Sequence, residues 1–157
     1  MAAKIQQIIC IFTIKFSRML NKEAILNRFN TMCKNTLMET LAINYIDVGE
    51  DFLVAKMPVN STVHQPYGIL HGGATAALAE SVGSVASSYF IDHEKFIVKG
   101  IELSANHLKS VKEGFVIATA KIIHRGRTTH LWEIRIVNEN NELVSLCKLT
   151  NIILEKK

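Results

Sequence analysis

Two periodicities alternate along this chain, and together they lay out its secondary structure. Between Asn21 and Lys34 apolar residues fall at Ile25, Leu26, Phe29, Met32 and Cys33, the spacing of a helix with one covered face. The pattern then changes. Leu41–Val48 is rich in β-formers, Gly49-Glu50-Asp51 has hairpin-turn chemistry, and Phe52–Met57 reads as the returning strand. Pro58–Ile69 lacks periodicity and contains Pro66 and Gly68, which predicts a loop. Residues 71–89, HGGATAALAESVGSVASSY, predict a long helix made mostly of Ala, Ser and Gly, with Glu80 as its one charge.

Beyond that helix, Phe96–Leu108 predicts a third strand and Lys112-Glu113-Gly114 a turn. Val116, Ala118, Ala120 and Ile122 alternate as one apolar face. After a break at Arg125-Gly126-Arg127, Trp132, Ile134 and Ile136 share a face opposite Glu133 and Arg135. A turn at Asn138–Asn141 leads into a last strand, Glu142–Leu154. The order predicts an α+β domain, an antiparallel sheet of five or six strands with one principal helix. Bare sheet edges invite pairing, so at least a homodimer is expected.

The helix carries the candidate chemistry. Helical spacing places Gly73, Ala76, Glu80, Gly83, Ser84 and Ser87 on one small-sided face, with Ala74, Ala77, Leu78, Val82 and Val85 opposite for the sheet. Glu80 then lies in a groove, where partial desolvation raises a carboxylate's pKa and suits it to act as base or nucleophile. Taken alone, a helix glutamate is more often merely solvated. His71-Gly72-Gly73 changes that balance. The first amides of a helix lack internal partners, and with the dipole they polarise a carbonyl brought against them. Gln65, in the preceding loop, offers an amide donor to the same carbonyl.

Composition narrows the classes. The 157 residues suffice for one domain, read as 19–157, with 1–18 as an N-terminal extension. The apolar run Ile8–Ile14 is too short to span a bilayer and no signal-type cleavage site follows it. Of the net charge of +4, Lys4, Lys15 and Arg18 supply three, so the body is nearly neutral, and neither nucleic acid nor membrane is an expected partner. Cys10, Cys33 and Cys147 show no pairing pattern, which suggests reduced thiols in the cytoplasm. No metal spacing links the histidines and no nucleotide-binding glycine motif is present, so no metal or cofactor is expected.

The run HQPYGILHGGATAALAESVGSVAS, followed by GIELSANHLKS, HRGRTTHLWEI and CKLTNIIL, closely resembles the hotdog-fold acyl-CoA thioesterases over about Asn21 to Leu154. The likeness is to the branch holding glutamate-type 4-hydroxybenzoyl-CoA thioesterases, 1,4-dihydroxy-2-naphthoyl-CoA hydrolases and the enterobactin-pathway proofreading thioesterase. It implies a sheet wrapped around the long helix, assembly as a dimer or a dimer of dimers, and hydrolysis of an acyl-CoA. It also implies roles. Glu80 attacks the thioester or activates water, the Gly72 amide binds the thioester oxygen, and His71 fixes the helix start. Gln65 lies near the leaving group and Ser84 holds the water. His107 and Lys109, with the Gly126-Arg127-Thr128 turn, face the coenzyme phosphates. Two other readings share the fold: a non-catalytic acyl-CoA-binding module, and an enzyme acting on acyl carrier protein substrates.

Overall fold

The computed structural model describes residues 21–156. The expectations for residues 1–18 lie outside that range. Residues 21–32 are helical (α1), and a short helix, α2 (Leu37–Thr40), follows. The strand expected from Leu41 begins later, as β1 (Asn44–Val48), because Leu41 caps α2 and Ala42 turns the chain at φ 52°. The remaining elements are β2 (Phe52–Val59), α3 (Gly72–Ser88), β3 (Phe96–His107), β4 (Gly114–Arg125), β5 (Thr129–Asn138) and β6 (Leu143–Glu155).

All six strands form one antiparallel sheet in the order β1-β2-β4-β5-β6-β3. Pro58, expected in the loop, is part of β2 and faces Phe115. Strand β1 reaches only as far as Asn44, opposite Lys56, so Pro58 sits where β2 is itself an edge and the missing N–H is tolerated.

Helix α3 lies across the concave side of β2–β6. Leu78 and Val82 are fully buried there, against a floor that includes Ala118, Ala120, Trp132, Ile134 and Leu149. Alanines in the floor and glycine in the helix let the two layers close up. A Cβ on Gly83 would come within 2.6 Å of Leu149 Cδ2. The expected division of the helix therefore shifts: Gly83 and Ser87 are buried on the core side, while Ala77 and Val85 are only partly covered.

The two sheet edges differ. At β1, the Asn30 side chain of α1 accepts from Tyr45 N–H at 2.7 Å and donates to Tyr45 O at 3.0 Å. That pairing imitates a further strand, and the Phe29 ring packs edge-on against Tyr45 beside it. At the far side, β3 runs for 12 residues and, among the described residues, no strand pairs with its outer margin.

Candidate active site

The amino end of α3 leaves one backbone donor free. His71 caps the helix with Nδ1, which accepts from Gly73 N–H at 2.7 Å, while its carbonyl accepts from Ala74 and Thr75 N–H at 3.0 and 3.2 Å. Among the described residues only the Gly72 amide, of these first four, has no acceptor. Gly72 borders a cavity of about 270 Å³ that Gln65, Thr75, His107 and Lys109 also line. A Cβ on Gly72 would meet His107 Nε2 at 2.8 Å, so glycine lets the imidazole sit over the helix start. Ser145 Oγ donates to Asn106 O at 3.0 Å and lies 3.2 Å from His107 Nδ1. That arrangement favours the tautomer with hydrogen on Nδ1 and leaves Nε2 as an acceptor. Lys109 pairs with Glu142 at 2.5 Å, and with Asn138 it holds the Glu142 carboxyl below its usual range.

Glu80 lies two turns along the same helix, half-buried, with a carboxylate oxygen against Gly100 of β3. A Cβ at position 100 would fall 1.9 Å from Glu80 Oε1, so this carboxylate position requires glycine. Gly100 also begins a bulge that pushes Ile101 outward, 58% exposed. Burial raises the Glu80 pKa, and a hydrogen bond from Ser84, at 3.5 Å, partly opposes the rise. Beside Ser84 opens a groove of about 340 Å³, lined largely by Met32, Val85, Ile91, Phe96, Ile97 and Val98.

The expected residues thus fall into three groups. Gln65, His71, Gly72, His107 and Lys109 gather at the helix start, and Glu80 and Ser84 sit together farther along. Eight helical residues separate Gly72 from Glu80, a rise of about 12 Å, too far for both to touch one carbonyl in a single copy. The Gly126-Arg127-Thr128 turn lies beyond the other end of β3, because Thr129 and Lys99 both pair with Ile152. The eight steps along β3 from Lys99 to His107 put about 25 Å between this turn and the helix start.

Two positions escaped the sequence reading. Gly100 is a lone glycine inside a strand, the kind of position where another group approaches closely. Asn151 is polar in an inward row that runs Ser145, Cys147, Leu149, Asn151 and Ile153, flanked on both sides by apolar residues, and it is fully buried beneath Ser84. The break in that row was the available signal.

Residues 67–145 match the thioesterase superfamily. Across 82% of its length the chain is 40% identical to the 1,4-dihydroxy-2-naphthoyl-CoA hydrolase of Escherichia coli, covering 94% of that protein. A variant thioesterase from Pseudomonas aeruginosa superposes with a TM-score of 0.82 at 39% identity, over 83% of this chain and 94% of that one. A Staphylococcus aureus thioesterase gives 0.73 at 44% identity, over 74% and 97%. That protein has been crystallised as a glutamine-to-alanine and a glutamate-to-alanine variant, the altered positions separated by the same fifteen residues as Gln65 and Glu80. The six-stranded sheet with its long helix and these relatives agree: the chain belongs to the hotdog-fold acyl-CoA thioesterases and is a thioester hydrolase.

Proposed function

We propose that the chain hydrolyses aryl- or medium-size acyl-CoA thioesters, 1,4-dihydroxy-2-naphthoyl-CoA among them, in a site shared by two copies. The observation that carries this reading is Glu80, a half-buried carboxylate seated against Gly100 beside an apolar groove. Strand β3 has a bare edge, and antiparallel pairing with its own copy reverses the strand. Reversal carries the partner's helix start, with its free amide, toward the Glu80 of this copy. It also carries the partner's Gly126–Thr128 turn toward His107 and Lys109, so the phosphate-side groups converge on one coenzyme A.

In this site the Gly72 N–H and the positive end of α3 draw charge onto the thioester oxygen, with the Gln65 amide as second donor. The acyl group lies in the groove that opens at Ser84. Glu80 takes a proton from water, and the water oxygen adds to the carbonyl carbon. The C–S bond then breaks, and the proton on Glu80 passes to the departing sulfur. Alternatively the carboxylate itself adds and the C–S bond breaks to expel the coenzyme A thiolate, giving an anhydride that water opens. Single turnover in oxygen-18 water separates the two routes, because only the anhydride route leaves label in the Glu80 carboxylate. The function itself is tested by thiol release from a panel of acyl-CoAs, with Glu80→Gln as control. Hydrolysis that survives unchanged in that variant overturns the assignment.

A further inference from the structure

Beneath Glu80 lies a chain of buried polar groups that extends into the sheet. Asn151 of β6 is fully buried and reaches up to α3. Its Nδ2 donates to Gly83 O at 3.1 Å and to Ser87 Oγ at 2.8 Å, and the indole N–H of Trp132 donates to the same Ser87 oxygen at 2.7 Å. A carbonyl can only accept, so the bond to Gly83 O fixes which side of the amide is nitrogen. Oδ1 is thereby turned to Ser84.

The Ser84 hydroxyl has one hydrogen and two acceptors facing it. Glu80 Oε1 is 3.5 Å from Ser84 Oγ and Asn151 Oδ1 is 3.4 Å away. Both distances are long for an O–H···O bond, as expected where one hydrogen sits between two claims. We propose that Asn151 is a positioning residue: its Oδ1 receives the Ser84 hydrogen when Glu80 takes up a proton or an acyl group, and gives it back when the carboxylate is free. This inference rests on the reading of Glu80 as the working carboxylate.

The reason is local electrostatics. An ionised carboxylate is the stronger acceptor and holds the Ser84 hydrogen. Once protonated or acylated, it accepts weakly, and a half-buried hydroxyl left without a protein acceptor would penalise that state. Asn151 removes the penalty. No charged side chain is among the causes of the Glu80 shift, which are burial and Ser84 alone. On the sheet side the nearby titratable group is His130, paired across from Asn151, whose pKa burial holds down. On β3, Glu102 is turned to Thr150 on the outer side.

The test is Asn151→Leu, with the shorter Asn151→Ser, which falls short of Ser84, as a milder variant. Two readouts are taken on the intact protein: carbon-13 NMR titration of the Glu80 carboxyl, and the pH profile of kcat/KM with benzoyl-CoA. With Oδ1 gone, Ser84 donates to Glu80 alone, so the carboxyl titrates at lower pH, the acid limb moves down with it, and kcat at neutral pH falls about tenfold. In a Ser84→Ala background, substituting Asn151 leaves the Glu80 titration unmoved. A Glu80 titration identical in wild type, Asn151→Leu and Asn151→Ser overturns the inference. A titration that moves while the acid limb of the rate stays put supports the relay but overturns the catalytic reading of Glu80.

Discussion

The two ends of the helix face that runs from Gly72 to Glu80 are built on opposite principles. At its start the helix is open: His71 and Gly73 are exposed, and three of the first four amides are satisfied so that the Gly72 donor alone is left over. Around Glu80 the helix is closed: the carboxylate is pressed against β3 and backed by Ser84 and the buried Asn151. In the proposed mechanism the first end supplies a donor for developing negative charge, and the second a base whose proton affinity is raised by burial. Placing them about 12 Å apart keeps an acceptor and a donor from cancelling each other within one copy. In the proposed shared site, pairing of copies is what brings the two ends together.

The largest effect expected from disturbing this comparison is at the closed end. Glu80→Gln should lower kcat by about 10³ or more, since it removes the proton acceptor and the nucleophile while keeping the shape. The same change has a stability signature with a definite sign. The folded-state pKa of Glu80 is raised, so its contribution is fully present at low pH and is lost as pH rises through that pKa. Glu80→Gln should therefore equal the wild type in Tm at acid pH and gain on it toward neutral pH. A glutamine variant less stable at neutral than at acid pH, relative to wild type, contradicts the burial argument.

Next in size is Gly100→Ala. The new methyl would occupy the place of Glu80 Oε1, and because that oxygen ends a flexible side chain, the carboxylate gives way rather than the backbone. We expect kcat to fall about a hundredfold with Tm nearly unchanged, the cost of misplacing a reacting group by roughly an ångström. Activity assays with thermal melts check both halves of that statement.

A third measurement joins the two ends. Gly72→Ala puts a methyl against His107 Nε2 and crowds the helix start, and Glu80→Gln disables the other end, so each pure variant should be nearly inactive. If each site takes its amide from one copy and its carboxylate from the other, unfolding and refolding an equal mixture restores one intact site in each mixed dimer. That amounts to about a quarter of wild-type activity. A mixture no more active than its components rules out the shared site.

The smallest effect belongs to the open end. His71→Ala removes the acceptor for Gly73 N–H and should cost about 1 kcal/mol of stability, while His71→Asn restores most of it. Urea melts of the three proteins measure the difference. In the alanine variant two amides compete for the thioester oxygen, so KM should change more than kcat.

Much of this was readable from residues. The alternation in Val116, Ala118, Ala120 and Ile122 marked β4, and the proline-free small-residue run marked α3, because local periodicity dictates those elements whatever surrounds them. Harder were positions set by neighbours distant in sequence. Gly83 and Ser87 appeared to belong with Glu80, yet the sheet lies close enough to bury them, which depends on the alanines of β4 and on Leu149. β-propensity favours a strand from Leu41, but Leu41 caps α2 and Ala42 takes the left-handed turn that follows, so β1 starts only at Asn44.

By itself, then, the sequence determined the elements, their order, the single charge on a small-sided helix and the free amide that follows a glycine at its start. These are consequences of short-range sterics and hydrogen-bond arithmetic. Only the tertiary structure decided that β3 and not β1 is the bare edge, since that turns on the Asn30 amide meeting Tyr45 from 15 residues away. Only it seated Glu80 against Gly100 and set Asn151 beneath Ser84, 67 positions apart in the chain. Strand order joins such residues, and no local pattern encodes strand order.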